Sequence, residues 1–135
     1  MNSPHLLVIG GTGFIGHHLI KAAQLKDWKI TSVSLNPPTD VRFVDAVEYM
    51  HFDLNEHALV KKYLNEDFDY VVNLGGYINH QLFKDGGRKL IDTHFTTTQN
   101  LLENLPRGKL KRFVQIGSSD EYGNAPAPQH ENLRE

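Results

Sequence analysis

The chain has no cysteine among its 135 residues. That excludes disulfides, thiol nucleophiles and cysteine-ligated zinc at a stroke. Charge of one sign is missing too. Fourteen Lys and Arg stand against 16 Asp and Glu, and a net charge of −2 offers nothing that would draw the chain to nucleic acid or to an anionic membrane. No apolar run approaches the length of a membrane span, and no basic segment precedes Leu6. The expectation is therefore a cytoplasmic protein with neither nucleic-acid nor membrane partners. Eight histidines are present, but no H-E-x-x-H or comparable ligand spacing, so no metal site is expected. Repeats, low-complexity tracts and an internal domain boundary are lacking as well, and 135 residues suffice for one core.

What is present comes early. A short apolar run, Leu6 to Ile9, leads into Gly10-Gly11-Thr12-Gly13-Phe14-Ile15-Gly16, and an amphipathic run follows from Phe14 to Leu25. This reads as strand, tight turn and helix. Gly11, Gly13 and Gly16 fit G-x-G-x-x-G, while Gly10, Gly13 and Gly16 fit G-x-x-G-x-x-G. Glycine suits such a turn because it opens backbone angles closed to other residues and lets a pyrophosphate approach the main chain. The helix N-terminus then offers unpaired N–H groups and a positive dipole end. No G-K-[ST] follows, so a P-loop is excluded. The rival is a turn that merely packs helix on sheet; the strand-before, helix-after context favours dinucleotide binding.

Further along, Trp28 to Leu35 alternates as a second strand and stops at Asn36-Pro37-Pro38. Residues 36–46 are short for a helical crossover and are expected to form an extended loop. Val47 to Asp53 reads as a third strand, followed by a helix to about Asn65 with Asn55 as its cap. Phe68 to Leu74 is an almost continuously apolar fourth strand ended by Gly75-Gly76. A helix from about Arg88 to Asn104 fits the helical period only roughly, and Lys111 to Ile116 is a fifth strand. From Gly117 onward the chain reads as loop. Alternating strands and helices of this kind predict an α/β, doubly wound, parallel sheet of Rossmann type with about five strands. Ligands of such sheets lie at the carboxyl ends of the strands. The residues suited to a site all fall there: the glycine turn, Ser34 to Asn36, Asp53, Gly75-Gly76, and Gly117 to Ser119.

In order, Gly10-x-x-Gly13-Phe14-Ile15-Gly16, Asp53-Leu54, Asn73-Leu74-Gly75-Gly76, Asn100-Leu101-Leu102 and Ser118-Ser119-Asp120-Glu121-Tyr122-Gly123 follow one another. The series resembles the extended short-chain dehydrogenase/reductases, specifically the NAD(P)-dependent sugar-nucleotide epimerases and dehydratases. The resemblance runs the whole length of the chain. It implies NAD or NADP held by Gly10, Gly13, Phe14, Ile15 and Gly16, with Ser34 and Asn36 beside the adenosine ribose. Asp53 would bind the adenine amino group with Leu54 against the ring. Leu74, Gly75, Gly76, Ile116 and Gly117 would line the rest of the cofactor.

The resemblance also implies a nucleotide-sugar substrate and leaves open a homodimer. Ser118 falls where the family keeps the first member of its Ser/Thr-Tyr-Lys triad, and Asp120 is the second acid/base candidate, by similarity to the Thr-Asp-Glu of sugar dehydratases. Removal of hydride from a carbon requires that its hydroxyl lose a proton, hence a positioned base. Two departures matter. No carboxylate lies between Ser34 and Asp40, where NAD-specific folds place one, and Arg42 lies further on, so NADP stays open beside NAD. No Tyr-x-x-x-Lys occurs, and the family's would lie some ten residues past Glu135. Residues 1–135 are thus expected to be the NAD(P)-binding Rossmann domain of a longer enzyme, truncated before the triad helix and inactive alone. The alternative is a non-catalytic NAD(P)-binding sensor or interaction module.

Overall fold

The computed structural model describes residues 2–76 and 83–133. Five parallel strands form one sheet: β1 His5–Ile9, β2 Lys29–Ser34, β3 Val47–His51, β4 Tyr70–Asn73 and β5 Arg112–Gln115, in the order β3-β2-β1-β4-β5. The direction of winding reverses at β1, which puts the switch point of the sheet beside the glycine turn. Each predicted strand is present; β1 gains His5, and the other four lose two or three residues where their ends leave the ladder. β1, the central strand, is buried throughout. β2 buries Ile30, Thr31, Ser32 and Val33 in succession, so its polar alternation is that of a strand covered on both faces.

Side chains alternate between the two faces. On one, Leu7, Ile9, Val33 and Val71 pack with Val60 of α2 (His57–Tyr63), its C-cap Leu64, and Leu101 and Leu105 at the end of a longer helical segment. On the other, Leu6, Val8 and Ile30 meet Ile20 and Ala23 of α1 (Phe14–Gln24). Here α1 covers only the β1–β2 side. Beyond it lies an apolar groove of about 260 Å³, with Trp28, Tyr70 and Val72 among its walls. Trp28 and Tyr70 stack there with ring centres 5.0 Å apart, and Val114 is 49 % exposed.

Three local expectations change. Asn55 does not cap α2: its backbone N–H and its amide both donate to Asp53 Oδ1, at 2.9 and 3.1 Å, and Glu56 takes the N-cap position without a side-chain bond. The carboxylate two residues back reaches Asn55 before the helix can. The helix after residue 86 comprises α3 (Gly87–Ile91), one π-helical turn (Asp92–Thr96) and α4 (Thr97–Asn104). The extra residue in that turn shifts the angular phase, which explains the loose apolar period. The stretch after Gly117 includes a single 3₁₀ turn, Ser119–Tyr122. Residues 36–46 form turns without a helix, as expected. No helix among the described residues is long and apolar enough to cross a membrane.

At the amino ends of the strands, His5 is buried with Nε2 2.9 Å from Thr31 Oγ1, and burial lowers its pKa. Asp69 there accepts the His5 N–H and pairs with Lys111 at 2.9 Å, and both bonds lower its pKa.

Candidate functional site: a cleft over the glycine turn

The turn after β1 is shaped by what cannot be added to it. Gly10 sits at φ +81°, a region that favours glycine, and donates its N–H to Val33 O at 2.8 Å, tying the turn to β2. A Cβ on Gly16 would stand 2.3 Å from Gly10 O and 2.6 Å from Gly11 Cα. One on Gly11 would stand 2.1 Å from Ser32 Oγ. These two glycines let α1, the turn and β2 approach one another. Gly13 differs: its only close neighbour would be Gly10 O at 3.3 Å, its backbone is extended, and it is the N-cap of α1. Its Cβ would project into space that packing does not need.

That space is a cleft of about 320 Å³. Gly10 and Gly13 form its floor, with Thr12 between them; Ser34 ends β2 and Asn36 follows it on one side, and Asp53 and Leu54 follow β3. Leu74, Gly75 and Gly76 close it after β4, and Thr93 and Thr97 reach it from the π-helical turn and α4. The structure thus brings nine of the sequence-predicted residues to one cleft.

Phe14, Ile15 and Gly16 do not line it. Phe14 and Ile15 carry their side chains outward, 69 % and 57 % exposed. The first helical bond of α1 runs from His17 N–H to Gly13 O, so the N–H groups of residues 14–16 lie outside the i→i−4 ladder at the floor's edge. Ile116, Gly117, Ser118 and Asp120 also lie outside the cleft wall, on the exposed run after β5. Ser118 Oγ accepts the Asp120 N–H, and Glu121 Oε1 accepts the Ser118 N–H, a reciprocal capping box.

Several supports were not legible from the sequence. Asn100, quoted only as part of a motif, is buried and donates its amide to Leu54 O (2.8 Å) and Asn55 O (3.1 Å), fixing the loop after β3 from α4. Asn73 ties β4 to its surroundings: its amide donates to Gln115 Oε1 at 2.9 Å and its Oδ1 accepts the Gly75 N–H at 3.1 Å. Arg42, eight residues beyond β2, donates from its guanidinium to Thr12 O at 3.1 Å. His17 Nδ1–H donates to Arg42 O at 2.9 Å, which gives that histidine a structural task beside the glycine turn. Apart from Asn73 and Gly75, these partners lie 25 to 46 residues apart in the chain.

The residues fit a dinucleotide. A cradle that a Cβ at Gly13 would fill lies at a helix N-terminus, and Asn55 Oδ1, on the cleft wall, is buried without a protein partner.

Comparison with known proteins agrees. The chain is 25 % identical over 130 residues to a UDP-N-acetyl-alpha-D-glucosaminuronate decarboxylase of Bacillus cytotoxicus, matching 90 % of this chain and 39 % of that protein. It is 26 % identical over 132 residues to the bifunctional UDP-glucose 4-epimerase and UDP-xylose 4-epimerase 3 of Arabidopsis thaliana, matching 88 % and 38 %. Among solved structures, the epimerase Mth375 of Methanothermobacter thermautotrophicus superposes with a TM-score of 0.84 at 21 % identity, covering 98 % of this chain and 41 % of that one. The Bordetella bronchiseptica enzyme WbmF, solved with NAD+, gives 0.75 at 23 %, covering 96 % and 41 %. The chain therefore spans about two fifths of the length of these proteins. A sequence model of one family matches residues 6–135, and on that match the chain belongs to the NAD dependent epimerase/dehydratase family.

Proposed function

We propose that residues 1–135 are the NAD(P)-binding part of an enzyme that epimerises or dehydrates a nucleotide sugar by transient oxidation of a sugar hydroxyl. The observation that carries this is the division of labour in the glycine turn: Gly10, Gly11 and Gly16 are consumed by packing, while Gly13 alone keeps a cradle open at the helix N-terminus. Gly10 and Gly13, with the N–H groups of Phe14, Ile15 and Gly16, hold the pyrophosphate. Ser34 and Asn36 face the adenosine ribose, Asp53 and Leu54 the adenine, and Leu74, Gly75 and Gly76 the middle of the cofactor. Ile116 and Gly117 extend that wall toward the nicotinamide end.

When bound, the nicotinamide ring supplies reversible hydride acceptance from the sugar carbon. Ser118 orients the sugar hydroxyl: its oxygen already accepts the Asp120 N–H, leaving its own proton to donate. A serine hydroxyl is too weak an acid to act as base at neutral pH, so Asp120 is the residue on this stretch suited to accept a proton. The tyrosine and lysine of the triad, the grip on the sugar and any dimer contact are assigned to the length of the relatives that this chain does not span.

Calorimetric titration of the 135-residue chain with NAD and NADP tests the reading. Gly13→Val is expected to lower affinity at least about 100-fold, near 2.7 kcal/mol, with the fold retained and only the smaller stability loss of a poorer N-cap, because a branched side chain occupies the phosphate approach without meeting the core. Unchanged affinity in the variant would mean that the turn only packs. The same chain is expected to show no turnover on UDP-sugars, whereas the non-catalytic alternative predicts that a version extended through any following reading frame is equally inert.

A further inference from the structure

We propose that the apolar groove between α1, β4 and β5 is the seat of an amphipathic helix from a later part of the same polypeptide, edged with carboxylates and reached only after a further strand has been laid down. The inference is independent of the dinucleotide reading, since the groove shares no lining residue with the cleft.

Parallel sheets are found with both faces covered. On one face α2 and α4 provide that cover; on the other, α1 packs over β1 and β2 and stops. The strip left open is lined by Tyr70, Val72 and Val114 of the sheet, Leu19 and Ala22 of α1, and Trp28. Val72 and Val114 are partners in the β4–β5 register, so the open floor continues across both strands. A small-molecule site would set a few placed polar groups among its apolar walls. Here the only charged residues lining the groove are Lys26 and Arg112. The apolar stripe of a helix is what covers such a face.

Charge and handedness narrow the occupant. Lys26 and Arg112 are exposed, and among the described residues neither pairs with a carboxylate. A two-fold contact between copies sets a patch against itself, which here would gather like charges around one seam. The covering chain must instead bring carboxylates. Length for it exists in the relatives, of which this chain spans about two fifths. Its place in that length follows from the crossovers. α1 joins β1 to β2 and lies on the groove face; α4 joins β4 to β5, runs the other way along the sheet and lies on the opposite face. Both are right-handed connections. A crossover from β5 to a new neighbour continues in the direction of β4 to β5, so its helix falls beside α4, away from the groove. The helix that fills the groove is therefore not the first after β5.

The test compares the protein expressed from its complete reading frame with the 135-residue chain, each carrying Val114→Cys. Val114 is half exposed, and residues 1–135 hold no other thiol. Labelling by a small thiol reagent is followed by mass spectrometry on the peptide that contains position 114. The expected result is labelling at least about 100-fold slower in the complete protein, the protection given by a packed element. Arg112→Glu should quicken it several-fold by setting a carboxylate against those of the helix. In the unsubstituted complete protein, a carbodiimide should join Lys26 to an Asp or Glu that lies beyond the first helix after β5. Equal labelling rates overturn the proposal, and so does a reading frame that adds nothing after residue 135. A Lys26 link to the first helix after β5, or between two copies, overturns the assigned occupant and the proposal with it. A rate untouched by Arg112→Glu overturns the carboxylate edge, and the proposal as stated. No arm involves a dinucleotide, so failure here leaves the reading of the cleft as it stands.

Discussion

The turn after β1 and the turn after β5 invite comparison. Each leaves a parallel strand at its carboxyl end, each carries a glycine, and the sequence places each in one site. They are built in opposite ways. The first is sewn into the protein: Gly10 bonds to β2, Gly11 meets Ser32, and Gly16 seats α1 against the main chain. The second satisfies itself. Ser118 and Glu121 bond only within their own turn, and residues 114–121 are exposed throughout. A cradle for a rigid, charged ligand must be preorganised, and here the protein core does that. The residues proposed for proton handling have no such scaffold around them.

The contrast is sharpest under substitution of glycine. Gly16→Val should cost roughly 3 kcal/mol or more, since the neighbours at 2.3 and 2.6 Å are main-chain atoms that cannot yield. In the other turn, a Cβ at Gly117 meets only the carboxylate tip of Glu121, so Gly117→Ala should change stability by less than about 0.5 kcal/mol. Urea midpoints of the two variants settle it; equal losses would mean that the turns are not so different.

Next in size is Asn100→Ala. It strips two buried or half-buried carbonyls of their donor, which should cost about 1 to 3 kcal/mol. It should also weaken adenosine binding, read by titration with 5′-AMP, because the Asp53–Asn55 loop loses its tie to α4. Ser118→Ala follows. Losing the cap on an exposed 3₁₀ turn should cost about 0.5 to 1 kcal/mol, with dinucleotide affinity unaltered. A large fall in affinity would show that the second turn is part of the cofactor cradle after all.

The smallest effect is one of pH and belongs to the opposite edge of the sheet. Burial lowers the pKa of His5 below its ordinary 6.5. The unfolded chain therefore binds this proton first. The contribution of His5 to stability is complete above pH 6.5 and is lost as pH falls through the lowered value. NMR titration of the eight histidines should show His5 changing at lower pH than an unperturbed imidazole, and urea midpoints should drop between pH 7.5 and 5.5. Asp69, lowered by the His5 N–H and Lys111, extends the same trend into more acidic solution, below its ordinary 3.8.

Much of this was legible beforehand, for reasons that can be named. Leu6 to Ile9 announces itself because a strand buried on both faces leaves a continuous apolar run, and Phe68 to Leu74 is nearly as apolar although α1 leaves one face of β4 uncovered. The glycine turn is readable because geometry demands its residue type. Asn55 misleads: a good capping residue loses to the carboxylate of Asp53, a local competition that propensity does not rank. The π-helical turn leaves only a blurred period. Arg42 and Asn100 illustrate a third limit. Their side chains act on Thr12 and on Leu54, contacts set by how the chain returns to itself, and nothing in the neighbouring residues encodes that return.

The Trp28–Tyr70 stack has a use of its own. Trp28 is the single tryptophan and stands at the amino end of β2, while the cleft opens at the carboxyl end, roughly 20 Å away for a six-residue strand. It lies on the face that α1 leaves uncovered. Its fluorescence is therefore a built-in gauge of what settles on that face. A polypeptide docking over β4 and β5 would shift the emission to shorter wavelength, while oxidised dinucleotide entering the cleft would leave the colour of the light unchanged. One optical trace could then follow assembly separately from ligand uptake, with no label added.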